Sequence, residues 1–271
     1  MKNHKWKIYL ILALLITFSC SNDDEGQNIN DENWGLLKKI ETDWMQKEIF
    51  YNENELVNKM ENTTEKLSKV TYDIKYENNI VETITLIEDF FFSTYPNHIT
   101  VYNITYENNQ ISITPTANSD RQIKITVQVT GRFVDSYRVY ETTDQDQYIE
   151  TIFTRNANDD IESISLYATD HNNTSVFNSE QTFLNFDYNL NLNPVFNPVF
   201  ELSHSDFFIL LNLKISNANP TGSTKLVSIP HFYEKYRSTA FDLTENGFIT
   251  KCILQHLSQS YVYNFTYYER K

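Results

Sequence analysis

A short pattern recurs along this chain: an alternating apolar run, a turn built on Asn, and a second alternating run. Val70, Tyr72, Ile74 and Tyr76 fall on one face of the first arm, with Thr71, Asp73 and Lys75 on the other. That period of two is the mark of a strand with one buried side. The turn is Glu77-Asn78-Asn79, and the second arm resumes as Ile80 to Leu86. Asn at successive turn positions tolerates the positive φ of a tight hairpin. Copies follow at Tyr106-Glu107-Asn108-Asn109-Gln110-Ile111 and at Thr244-Glu245-Asn246-Gly247-Phe248-Ile249, where Asn-Gly is the strongest short hairpin signal. Looser copies sit at Tyr51 to Leu56 and at Asn156 to Ile161.

The spacing of the copies decides between architectures. Tyr51, Tyr76 and Tyr106 lie 25 and 30 residues apart, and later copies farther, whereas a propeller or solenoid keeps a fixed period. The expected fold is mainly β: a single curved antiparallel meander sheet or partly closed barrel with one short helix. Eighteen Tyr and eighteen Phe against five Gly and six Pro is a strand-former's balance, with Asn doing the turning.

The first residues read as an address. Lys2, Lys5 and Lys7 precede the apolar run Ile8 to Phe18, which is too short to span a bilayer as a helix. The run ends in Thr17-Phe18-Ser19-Cys20, which resembles a bacterial lipobox, so residues 1–19 are expected to be a lipoprotein signal peptide and Cys20 the lipidated first residue of the mature chain. The alternative is a plain secreted protein in which Cys20 is incidental. With only Cys20 and Cys252 present, acylation of one leaves no disulfide, and Cys252 reads as a small buried apolar side chain. Stable anchoring needs the several acyl chains that a lipoprotein Cys carries, palmitate among them. Residues 20–33 read as the acylated Cys and a disordered acidic tether; its start, Ser21-Asn22-Asp23-Asp24-Glu25, resembles the acidic tag that sends lipoproteins of Bacteroidota to the cell surface. Residues 34–271 are expected to form a single β-meander domain.

Charge excludes one class of partner. The net charge is −14, and without residues 1–19 there remain 19 basic against 36 acidic residues, or −17. A surface so acidic repels phosphate backbones, so nucleic acid is not expected.

Within the mature chain, Trp34 to Ile49 fits both an amphipathic helix and a strand leading into the first hairpin. The uninterrupted hairpin pattern into Val57 and Met60 favours strand. Ile123, Ile125, Val127 and Val129 alternate without error, and Gly131 turns the chain into Phe133 to Tyr140. Gln147 to Phe153 and Ile161 to Tyr167 make the next pair. From about Asn185 to Ser223 the alternation breaks. Asn193-Pro194-Val195-Phe196 is repeated as Asn197-Pro198-Val199-Phe200, which reads as an irregular segment crossing one end of the sheet. Ser205 then precedes Asp206-Phe207-Phe208-Ile209-Leu210-Leu211, a short N-capped helix with an apolar face. Ser216 to Thr224, with Pro220 and Gly222, reads as a loop. Strands at Ala240 to Thr244, Phe248 to Leu254 and Tyr261 to Tyr268 close the chain.

The Tyr-Glu-Asn-Asn/Gly-Ile hairpins, the Asn-Pro segment before a short apolar helix, the Ser216-Asn217 loop and the final Glu245 to Gly247 turn occur in an order that resembles the uncharacterised surface lipoproteins of Bacteroidota with Tyr-Asp-like β-hairpin repeats. The resemblance spans Trp34 to Lys271 and implies location and fold, with no activity attached.

Catalytic patterns are missing from the sequence. With Gly only at positions 26, 35, 131, 222 and 247, no nucleophile elbow, phosphate-binding loop or dinucleotide fingerprint can be written. The histidines at 4, 98, 171, 204, 231 and 256 show no zinc-helix spacing. Asp170 with His171, and His204 with Asp206, are half-pairs for acid–base work that serve equally as loop residues. Asn156 to Asp160, and Thr143 to Gln147 with Asp144 and Asp146, offer oxygen ligands for calcium, but lack the Gly and distal Glu of a calcium loop and suit plain turns. Tyr261, Tyr263, Phe265 and Tyr267 form a ladder that either stacks on sugar rings or belongs to the core, and core is the simpler reading. No catalytic, cofactor or metal residue is nominated, and no cofactor is expected. The expectation is an outer-membrane, lipid-anchored, surface-exposed protein whose non-enzymatic domain binds a glycan, a lipid or an envelope protein. The alternatives are a glycan-directed hydrolase, requiring two loop carboxylates within about 10 Å of each other, or a structural spacer without a ligand.

Overall fold

The computed structural model describes residues 36–91, 97–140, 147–169, 175–187, 204–227, 233–245, 248–256 and 259–268. Alternation in the sequence becomes strand after strand. The chain runs up and down through β1 (Leu37–Glu41), β2 (Met45–Tyr51), β3 (Val57–Thr64), β4 (Ser68–Glu77), β5 (Ile80–Phe90) and β6 (His98–Glu107). It continues through β7 (Gln110–Pro115), β8 (Lys124–Thr130), β9 (Phe133–Tyr140), β10 (Ile149–Arg155) and β11 (Ile161–Thr169). A long β12 (Ser175–Asp187) precedes the helix α1 (Ser205–Leu210), and β13 (Asn219–Val227), β14 (Tyr233–Leu243), β15 (Ile249–His256) and β16 (Gln259–Tyr267) follow.

Every strand pairs antiparallel with its sequence neighbours, and β1 also pairs with β16, Ile40 standing opposite Phe265. The meander is therefore closed into a sixteen-stranded barrel, which leaves no sheet edge unpaired. The first two elements are strands, as the hairpin pattern favours, with Leu37, Ile40 and Ile49 buried at strand positions.

Turn chemistry sets the register. Asn78 and Asn79 hold φ of 52° and 63°, Asn108 holds 51°, and Gly131 holds 60°. These values suit Asn and Gly because a short polar side chain, or none, avoids the clash with the following carbonyl. The turn at Asn246-Gly247 lies outside the described residues. All the Asn hairpins fall at one end of the barrel, where β1 also begins; this is the Asn-turn rim, and the opposite end is the far rim.

Between Asn185 and Ser223 the fold corrects the sequence reading. β12 runs on to Asp187, and the segment read as a loop from Ser216 to Thr224 is strand from Asn219 onward. Pro220 sits opposite Phe186 of β12 but before the point where β14 joins at Gly222–Arg237, so on that side its missing N–H breaks no ladder bond. The tandem Asn-Pro-Val-Phe repeats lie outside the described residues.

The pleat divides the wall cleanly. Ile104, Ile113, Ile125 and Val139 line up across β6 to β9 and are buried inside, as are Met60, Tyr72 and Ile84 on β3 to β5. Most of the residues between them face out and are polar, with the facing pair Ile87 and Ile99 an exception. On β3 and β4, Glu61 is held by Lys59 at 2.6 Å and Lys69 at 2.9 Å, and on β9 and β10 Arg138 meets Glu150 at 2.8 Å. Barrels that cross bilayers carry the reverse arrangement, an apolar band outside, and an Arg or Lys at the lipid-facing midplane costs about 2–4 kcal/mol. On β3, β4, β9 and β10 the outer face carries these charge pairs.

Candidate functional site: the helix inside the barrel and the apolar far rim

Sixteen strands enclose more space than wall side chains can fill, since barrels of this strand number commonly hold an aqueous channel. In this chain α1 occupies the interior. Phe207, Phe208, Ile209 and Leu210 are all buried. Phe207 packs edge-on against Tyr72 of β4 and Tyr102 of β6, at ring separations of 6.1 and 5.4 Å. Phe208 meets Tyr137 of β9 at 5.2 Å and Phe153 of β10 at 6.3 Å. Transfer of each such side chain from water contributes about 2 kcal/mol, and edge-on aromatic pairs add to it.

The start of the helix is polar and points to the other wall. Asp206 accepts from the Lys47 ammonium of β2, from Asn62 Nδ2 of β3 at 2.6 Å and from the Tyr72 hydroxyl at 3.1 Å. Phe208 touches β10 while Asp206 is held from β2, eight places away in a ring of sixteen, so α1 works as a strut between facing walls. Ser205, expected as the N-cap, is instead the first helical residue; the cap is His204, in the left-handed region at φ 62° with no side-chain cap bond. The helix start is held by the tertiary contacts of Asp206 with three strands.

The same wall carries a second charge pair, in which the acid is buried and the cation is 41% exposed. Glu88 of β5 meets Arg121 Nε at 2.5 Å, and the Arg121 N–H donates to Thr100 Oγ1 at 3.3 Å. Burial, followed by the nearby Asp206 carboxylate, raises the Tyr72 phenol well above its ordinary value. Burial likewise pushes Tyr102 up to about 12, with Arg121 pulling it down and Glu88 pushing it further up. Asp206 and Glu88 are thus each matched to a cation.

After α1 the chain returns along the Asn-turn rim. Lys214 N–H donates to the Arg132 carbonyl at 2.8 Å, and Lys214 forms a parallel bridge with Phe133. Ser216 Oγ accepts from Ile161 N–H at 3.1 Å, and the buried Asp160 accepts from Ala218 N–H at 2.9 Å. The Asn156 to Asp160 turn, weighed as a calcium loop, is therefore a clip for this return segment. Asn156 Oδ1 accepts the N–H groups of Asn158 and Asp160 and so shapes the turn from within. Among the described residues no cluster of three or more His, Cys, Asp or Glu side chains is placed to hold a metal ion.

The other sequence-nominated residues fall as follows. The ladder of Tyr261, Tyr263, Phe265 and Tyr267 faces inward: Phe265 is buried and the three tyrosines pack on the core, beside the fully buried Cys252. It is core, not a stacking platform. Cys20, the acidic stretch after it, Asp170 with His171, and Asp144 with Asp146 lie outside the described residues.

Exposed apolar side chains occur at both rims, Ile80, Tyr106 and Leu243 at the Asn-turn rim and a row of neighbours at the far rim. Trp44 in the β1–β2 turn, Leu67 in the β3–β4 turn and Phe91 after β5 are 49%, 57% and 49% exposed, and Ile99 of β6 is 48% exposed. The turns are stitched side by side: Glu65 N–H donates to the Trp44 carbonyl at 2.8 Å and Phe91 N–H to the Leu67 carbonyl at 3.0 Å. Phe90 closes the row, its ring edge-on to His98 at 5.9 Å. A search for alternation passes over Trp44, Leu67 and Phe91 because they sit outside the strands.

Fold and site together define a class: a closed up-and-down β-barrel with a helix braced inside. Among solved structures, the chain is similar to a porin-like protein from Bacteroides vulgatus ATCC 8482, at 11% identity and a TM-score of 0.47, over 87% of this chain and 100% of that one. It is also similar to a porin-like protein from Bacteroides uniformis ATCC 8492, at 12% identity and a TM-score of 0.43, over 86% of this chain and 98% of that one. No family model and no curated protein matches the sequence.

Proposed function

We propose that this chain is an exported lipoprotein, held at the outer membrane of a bacterial envelope through acylated Cys20, whose barrel is a non-enzymatic binding module exposed to water. The observation that carries the reading is the polarity of the wall. Glu61, Lys59, Lys69, Arg138 and Glu150 form charge pairs on the outer face of β3, β4, β9 and β10, where a lipid-facing wall would carry apolar side chains. A protein of this kind stays at a membrane only if something else holds it, and the lipobox-like Thr17 to Cys20 supplies that hold. Charge pairing of Asp206 and Glu88 weighs against the hydrolase reading.

The test is metabolic labelling with a palmitate analogue, followed by fractionation, for the natural chain and for Cys20→Ala. The natural chain is expected to take up label and sediment with membranes, and Cys20→Ala to lose the label and leave the membrane on carbonate washing. Equal labelling of the two removes the anchor. Carbonate-resistant, heat-modifiable Cys20→Ala protein would mean that the barrel itself spans the bilayer.

A further inference from the structure

We propose that the Asn-turn rim from β1 to β6 is the part of the barrel that opens, hairpin from hairpin, and that the hydroxyls of Tyr51, Tyr76 and Tyr106 are the latches that hold it shut. Each hairpin is paired along its whole length, β2 with β3 from Tyr51–Val57 to Met45–Thr64 and β4 with β5 from Glu77–Ile80 to Ser68–Phe90. Between hairpins the ladders are shorter. From the far rim, β1 meets β2 only as far as Lys39–Glu48, β3 meets β4 only as far as Lys59–Asp73, and β5 meets β6 only as far as Thr83–Asn103. Neighbouring hairpins are thus hinged at the far rim and part toward the Asn-turn rim, which leaves Leu37, Val57 and Val81 beyond the last rung. Their carbonyls need donors that the facing strand does not supply.

A tyrosine takes each of them. Tyr51 Oη donates to the Leu37 carbonyl at 3.1 Å, Tyr76 Oη to the Val57 carbonyl at 2.7 Å and Tyr106 Oη to the Val81 carbonyl at 3.3 Å. These are the tyrosines that open the repeated Asn-turn motif, so each of these copies makes a turn and also fastens its hairpin to the strand before. At the seam Tyr268 Oη donates to the Ile49 carbonyl at 3.0 Å, its ring edge-on to Tyr51 at 5.8 Å. Among the described residues, the other polar bond between hairpins at this rim from β1 to β6 is the exposed Asn54 Nδ2 to Asn79 Oδ1 contact at 3.3 Å. From β7 to β11 the rim is fastened more firmly. β7 stays paired with β8 to Gln110–Gln128, where Val129 N–H adds a bond to the Asn109 carbonyl at 2.8 Å. β9 and β10 part beyond Ser136–Ile152, but there Arg155 takes the Val134 carbonyl and the Asp135 carboxylate, and the return segment after α1 bridges Phe133 and Ile161. A gap closed by one hydroxyl, between hairpins that are each fully paired, is where a fold opens in units short of global unfolding.

Hydrogen–deuterium exchange of the full-length chain, read by mass spectrometry in peptides carrying the named residues, tests this. In the natural protein the last rungs beside the gaps, Lys59–Asp73 and Thr83–Asn103, are expected to exchange faster than the far-rim rungs Met45–Thr64 and Ser68–Phe90, with a weaker urea dependence than global unfolding. Tyr76→Phe keeps the ring and removes the donor. It is expected to speed exchange at Lys59–Asp73 about fivefold, the size of one net hydrogen bond, and to leave the far rim unchanged. Tyr106→Phe is expected to do the same at Thr83–Asn103. Tyr267→Phe is the control, because its hydroxyl is buried at the same rim without a partner, and its exchange is expected to match that of the natural chain. Exchange no faster at the gaps than at the far rim, no response to Tyr76→Phe, an equal rise at both rims, or the same rise at the gaps in Tyr267→Phe overturns the proposal.

Discussion

Replacing Asp206 by alanine removes one carboxylate and strands three donors. The Lys47 ammonium, Asn62 Nδ2 and the Tyr72 hydroxyl all converge on it inside the barrel, and the side chains of Lys47 and Asp206 are only 14% and 16% exposed. Breaking a buried ion pair from one side costs about 3–5 kcal/mol, because the remaining charge keeps its desolvation penalty without its partner. Residual solvent access at both ends puts Asp206→Ala at the lower figure, about 3 kcal/mol. For a barrel of this size that is a fall in melting temperature of roughly 6 °C, read by circular dichroism alongside the urea midpoint. The double substitution Lys47→Met with Asp206→Leu removes both charges and is expected to recover most of the loss, since an apolar pair of similar volume forfeits no solvation. An Asp206→Ala barrel within about 0.5 kcal/mol of the natural one would refute the strut, as would a double variant no better than the single one.

Two further outcomes follow from the same coordinates. The phenols of Tyr76, Tyr102 and Tyr106 are each raised to about 12 by burial, so their neutral forms are favoured in the folded barrel. Their contribution is fully present below about pH 10 and is lost as pH climbs through 12. The urea midpoint should therefore fall across that window, with the buried Tyr102 alone contributing roughly 1.4 kcal/mol per pH unit. Phenolate absorbance at the unshifted value in the folded protein would count against it. At the β4–β5 turn, Asn79→Ala places a Cβ-bearing residue without a compensating side chain at φ 63°, for an expected cost of about 1 kcal/mol, and Asn79→Gly is expected to match or exceed the natural stability. Equal denaturation midpoints for the Ala and Gly variants would contradict the turn assignment.

Much of the barrel was legible because its rules are local. Ile123 to Val129 states its inward and outward faces residue by residue, and the Asn turns at 78–79 and 108 state where each strand must stop, since few other residues accept their φ. Pro220 misled for a local reason too: a proline argues against a central strand unless the ladder is one-sided at that point, and that depends on where β14 begins.

The site was legible only in fragments. Asp206 could be read as a polar residue at a helix start, but its donors lie 134 to 159 residues away, and no local pattern connects them. Trp44, Leu67 and Phe91 read as isolated apolar residues in turns until the pairing of β2 with β3 and of β4 with β5 brings those turns side by side.

By itself the sequence determined the strands, their faces and their turns, because period and backbone sterics act over two to four residues. Whether the sheet closed, what filled it and which residues met at its ends were decided by the tertiary structure. The pairing of β1 with β16 joins Ile40 to Phe265, and the strut joins β2 to β10. Contacts across such separations depend on the summed twist of sixteen strands and on the volume left inside them, and neither quantity is written at any single position.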